Sequence, residues 1–96
     1  MEGKRAMSKC CVRALVSGKV QGVFYRRATQ EQALRAGVTC YASNLPDGSV
    51  EVVLCGEGEA VNAVVKWLWN GPPNAKVTHV ELEGTEWRNY DTFVTS

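Results

Sequence analysis

Histidine is almost missing from this 96-residue chain: His79 stands alone, too little to complete a metal site. The four cysteines, Cys10, Cys11, Cys40 and Cys55, do not help, since none has the two-residue spacing of a zinc knuckle or a redox pair. No metal or cofactor is expected. A dominant charge is missing too. Eleven Lys and Arg against ten Asp and Glu leave a net charge of +1, so the whole-molecule field gives no case for nucleic acid or a membrane surface as partner. No apolar run approaches the about 20 residues that cross a bilayer. Residues 1–8 are basic without an apolar centre, unlike a signal peptide. They read as a flexible extension, with Met7 offering an internal start, ahead of one domain over residues 9–96. A cytoplasmic monomer is the expectation.

What is present is a clear order of elements. Residues 10–17, CCVRALVS, set Val12, Ala14 and Val16 on one parity, as a half-buried strand does. RATQEQALRAG is rich in helix formers and stops on Gly37, a natural residue to follow a helix. VTCYASN and SVEVVLC read as strands, joined through the LPDG turn into a hairpin. EGEAVNAVVKWLWNG carries Val61, Val64, Val65 and Leu68 at helical spacing, with Glu57 and Glu59 at its start, and Gly71, Pro72 and Pro73 end it. AKVTHVELEG gives a fourth strand, and YDTFVTS a short edge strand or docked tail. The order β-α-β-β-α-β predicts a ferredoxin-like α+β sandwich, with a four- to five-stranded antiparallel sheet and both helices on one face. Strands one and three should be central neighbours.

Parity then sorts the cysteines. With Val12, Ala14 and Val16 toward the helices, Cys11 points to the open face; with Val50, Val52 and Leu54 inward, Cys55 shares that face. A Cys11–Cys55 disulfide is therefore geometrically open, although a cytoplasmic location opposes it. Four buried or half-buried thiols are the other reading.

Between the first strand and the first helix lies GKVQGVFYR, residues 18–26. Glycines let such a loop curl its N–H groups toward one centre, the helix N-terminus adds positive potential, and Arg26 adds a planar fork of donors. Together these describe a phosphate pocket. No Gly-Lys-Ser/Thr follows, so a nucleotide is not indicated. The bland alternative is a glycine turn with a solvated arginine.

The string VSGKVQGVFYR resembles the first signature of the acylphosphatase family, and YASNLPDGSVEVVLCG fits the second, with Tyr41, Asn44, Gly48, Val50 and Gly56 in place. The likeness covers essentially all of the chain from about Cys10 onward, an acylphosphatase-like domain. It implies metal-independent hydrolysis of the carboxyl–phosphate anhydride of small acyl phosphates, without a covalent intermediate and with inorganic phosphate as product inhibitor. Carried over residue by residue, it implies that Arg26 clamps the phosphoryl group. The N–H groups of Gln21, Gly22, Val23, Phe24 and Tyr25 would cradle it, and Asn44 would orient the attacking water. Lys19 and Arg27 would add local positive potential or remain solvated. Three positions depart from the family's pattern. Cys40 replaces the usual Gly, Ser43 a longer side chain, and Tyr25 the commoner Phe or Met. Cys40 is expected to perturb the second strand and to bear on turnover.

Other residues have plainer roles. Asn44 precedes LPDG and would also suit an Asx turn. His79 reads as a surface residue, and Trp67 and Trp69 cannot both face the core. Two further functions compete with the enzyme: a phosphate- or acyl-phosphate-binding module with little turnover, and an RNA-binding domain of the same element order. The third strand lacks the basic and aromatic residues that RNA binding needs.

Overall fold

The structure, a computed structural model, describes residues 9–22, 24–87 and 90–95. The expected extension over residues 1–8 and the start at Met7 lie outside the described residues, as does Ser96. The elements run β1 (Lys9–Lys19), α1 (Tyr25–Ala36), β2 (Thr39–Asn44), β3 (Val50–Glu57), α2 (Gly58–Asn70), β4 (Lys76–Thr85) and β5 (Phe93–Thr95). The sheet order is β4-β1-β3-β2-β5, so β1 and β3 are the central neighbours. This is the ferredoxin-like order read from the sequence.

The expected all-antiparallel sheet needs one correction: β5 pairs parallel to β2, with Cys40 opposite Phe93 and Ala42 opposite Thr95. Chain direction explains it. Cys11 is level with both Thr85 and Cys55, and Cys55 with Thr39, so β4 ends at the edge of the sheet from which β2 starts. A strand that sets out from that end must run alongside β2 in the same sense.

The core lies between sheet and helices. Ala14 and Val16 of β1, Val50, Val52 and Leu54 of β3, and Val61, Val64, Val65 and Leu68 of α2 are all buried in it. Val12 is partly buried against it, which completes the parity read from β1. Helix α1 contributes a narrower stripe at four-residue spacing, Tyr25, Thr29 and Ala33. Its small members let the helix lie close to the sheet, and Thr29 Oγ1 donates back to Tyr25 O at 2.8 Å. Gly37, at φ 75°, ends α1 with its N–H turned back to Ala33 and Leu34 carbonyls.

Two residues depart from strand expectations. β1 does not stop at Ser17: Gly18 lies inside it, at a bulge in the pairing with β4, so the loop begins only after Lys19. At φ 121°, a Cβ there would fall 2.1 Å from Lys76 O, so this glycine serves the sheet rather than the loop. Cys40 has φ 111°, in the region that favours glycine. Strict alternation would set its side chain beside Ala42; it clusters instead with Cys11, Val53, Cys55 and Tyr41 on the sheet's other face. That face is therefore closed at one end by a small second cluster and crossed at its middle by Arg13, which pairs with Glu51 and, at 3.6 Å, with Glu83. Trp67 is half-buried and Trp69 exposed, as their spacing requires. His79 is exposed on β4.

Candidate active site

At the end of the sheet opposite the cysteines, β1 leads into the loop, and the loop into α1. Gly22, at φ 76°, and Phe24, at φ 62°, both take left-handed backbone, so the chain turns sharply twice before the helix begins. Left-handed residues in a loop can turn neighbouring N–H groups to one side, and the first N–H groups of a helix have no intrahelical partner. Val23, one of the residues expected to cradle phosphate, lies outside the described residues.

A pocket of about 270 Å³ opens here. Gly22, Phe24, Arg26 and Arg27 line it from the loop and α1, Asn44 from the end of β2, and Thr95 from β5. Residues distant in sequence thus share one cavity because β2 and β1 run the same way and finish at the same end. Gln21 fixes their spacing. Its side-chain Nε2 donates to Leu45 O at 2.8 Å and to Ser49 O at 2.9 Å, tying the loop to the β2–β3 hairpin just beyond Asn44. The sequence placed Gln21 among the cradling N–H groups; its side chain has this separate bracing role.

The hairpin itself is closed by Asp47. Asp47 Oδ1 accepts from Ser49 N at 2.9 Å and from the Ser49 hydroxyl. The Ser49 hydroxyl, and then its N–H, hold the Asp47 carboxyl below the usual carboxylate range. The Asx-turn role open to Asn44 thus belongs to Asp47, and the Asn44 side chain lies on the pocket wall.

Tyr25 divides its roles between backbone and side chain. Its residue starts α1, while its ring is buried, 5.8 Å from that of Trp67 and against Gly71. Its hydroxyl donates to Leu68 O at 2.6 Å, one of the carbonyls that the end of α2 leaves unpaired. Burial pushes the phenol well above its ordinary pKa, so it stays neutral. Arg26 is thereby attached to a residue clamped in the core.

The electrostatics are lopsided. Arg26 and Arg27 occupy the first turn of α1, where the helix dipole is positive, and no acidic residue shares that turn. Two cations at this end oppose helix stability; an anion in the pocket reverses the sign of the interaction. Thr95 was not singled out from the sequence, since a short terminal strand gives no pattern that assigns one side chain to a site. Among the described residues, no three His, Cys, Asp or Glu side chains group to hold a metal ion.

The acylphosphatase family model matches residues 12–95. An acylphosphatase of Chromohalobacter salexigens is 64% identical over 76 residues, covering 79% of this chain and 84% of that protein. The solved acylphosphatase of Coxiella burnetii superposes with a TM-score of 0.90 at 38% identity, over 94% of this chain and 95% of that one. The acylphosphatase of Bacillus subtilis gives a TM-score of 0.86 at 29% identity, over 90% and 97%. Sequence and fold therefore agree, and the chain belongs to the acylphosphatase family.

Proposed function

We propose that this protein hydrolyses the carboxyl–phosphate anhydride of small acyl phosphates, releasing a carboxylate and inorganic phosphate. The observation that carries this reading is the pair Arg26 and Arg27 at the positive end of α1, without a first-turn acid, sharing a pocket with Asn44. An acyl phosphate already has a good leaving group, so catalysis is mainly positioning and charge stabilisation on the phosphoryl oxygens. Arg26 clamps the phosphoryl group, and loop N–H groups from Gln21 to Tyr25 cradle it. Asn44 orients water through its carboxamide; a carboxylate in its place would repel the anionic substrate. The steps call for no metal and no covalent intermediate. The same reading has a cytoplasmic monomer, inhibited by its phosphate product.

Purified protein should hydrolyse benzoyl phosphate in the presence of a chelator. Arg26→Ala should abolish inhibition by phosphate, and Asn44→Ala should lower kcat by roughly 100-fold or more with a smaller effect on KM. Full activity in Asn44→Ala sinks the water-orienting role. Activity lost to the chelator sinks the metal-free mechanism, and phosphate binding without turnover leaves a binding module. Elution in gel filtration at twice the chain mass overturns the monomer.

A further inference from the structure

The acylphosphatase reading uses none of the sulfur chemistry at the far end of the sheet. Cys11 and Cys55 are directly opposite in the β1–β3 register and are joined as a disulfide. A third sulfur adjoins that bond: Cys40 Sγ lies 2.8 Å from Cys55 Sγ. All three residues are nearly sealed from solvent, at 4%, 0% and 1% exposure for Cys11, Cys40 and Cys55. Cys40 reaches this place only because its backbone sits at φ 111°, which turns its side chain off the strand's alternation and onto the face of the disulfide. Most side chains would avoid that conformation, and a strained backbone kept at a reactive cluster points to a use for the cluster.

We propose that Cys11, Cys40 and Cys55 form a three-sulfur exchange site, in which the disulfide moves between Cys11–Cys55 and Cys40–Cys55. The step is a thiol–disulfide exchange about the central Cys55 sulfur. Cys40, as thiolate, attacks Cys55 Sγ; a Cys40–Cys55 bond forms, the Cys55–Cys11 bond breaks, and its electron pair stays on Cys11 Sγ. The proton given up by Cys40 ends on Cys11. Nothing is oxidised or reduced overall, so the step needs no further reactant. Exchange moves the covalent tie on β3 from β1 to β2, the strand that ends at Asn44.

The test is disulfide mapping. Cys11→Ser and wild-type protein are equilibrated folded in a buffer of reduced and oxidised glutathione, quenched in acid, alkylated in denaturant and digested. A glutamate-specific protease is paired with trypsin, because Glu51 supplies the cut between Cys40 and Cys55. In Cys11→Ser, most chains should yield a linked Cys40–Cys55 peptide, and Cys40→Ser should show Cys11–Cys55 alone. Alkylated or glutathionylated Cys40 and Cys55 in folded Cys11→Ser overturn the proposal. Should Cys11→Ser fail to fold, wild-type protein decides. Linked Cys40–Cys55 beside Cys11–Cys55 supports exchange, and Cys11–Cys55 alone overturns it.

Discussion

Phe24 and Tyr25 are chemical near-twins with opposite burdens. Phe24 sits at φ 62° with 77% of its surface exposed, so its backbone is strained and its ring repays little of that by burial. The left-handed conformation costs a non-glycine residue ~1–2 kcal/mol, against ~0.5–1 kcal/mol for the extra freedom of an unfolded glycine. Phe24→Gly should therefore raise stability by roughly half a kcal/mol. Tyr25→Phe should lower it by ~1–3 kcal/mol, because Leu68 O is left buried without its donor. Urea midpoints of the two variants check both signs. A loss of stability in Phe24→Gly shows that the exposed ring is packed after all, and an unchanged Tyr25→Phe removes the phenol from the account of α2. The motif made both residues visible in the sequence as loop-and-helix backbone. It could not tell them apart, because the partner of Tyr25 is a carbonyl 43 residues away.

At the scale of elements, the β2–β3 hairpin carries Asn44 and has its own pH dependence. Folding lowers the Asp47 pKa through the Ser49 hydroxyl and N–H. A carboxyl whose folded pKa is depressed adds stability that is fully present above its unfolded pKa, about 4. That contribution disappears as the pH falls through the lower, folded value. Asp47→Ala should therefore lose less stability than wild type between about pH 5 and pH 2, and the two should differ most at neutral pH. Denaturant midpoints across that range check it; parallel acid profiles for the two proteins remove Asp47 as a titrating contributor. This hairpin was the most legible element, because LPDG and the alternation of β3 each force one answer. The start of the loop was less so. Gly18 looks like loop glycine in the sequence, yet the approach of Lys76 O, which no local pattern encodes, makes it part of β1. Alternation cannot read Cys40 for a related reason: it assumes extended backbone, and φ 111° breaks the assumption there, so that only the family's usual Gly at this position marks the residue in the sequence.

For the whole molecule, the order β-α-β-β-α-β sufficed to place β1 beside β3, and parity set Cys11 and Cys55 on one face; that the two stand directly opposite is a matter of register, which element order does not encode. The direction of β5 depended on which end of the sheet β4 leaves, a property of the assembled sheet alone. That assembly also determines what the disulfide does. It closes a span of 44 residues containing the loop, α1, β2 and the hairpin, and hence Arg26 and Asn44. In the chain-entropy account, a closure of that length restricts the unfolded chain by about 4 kcal/mol. The alternative Cys40–Cys55 tie spans 15 residues and restricts it by about 3 kcal/mol, so exchange alters global stability little. Reduction removes either tie. The reduced wild-type protein should therefore be less stable than the oxidised by about 4 kcal/mol. It should also unfold with a larger m-value, because its unfolded chain expands further. Paired urea titrations with and without reductant measure both quantities. A stability loss under about 1 kcal/mol with an unchanged m-value places the covalent tie outside what holds this fold together.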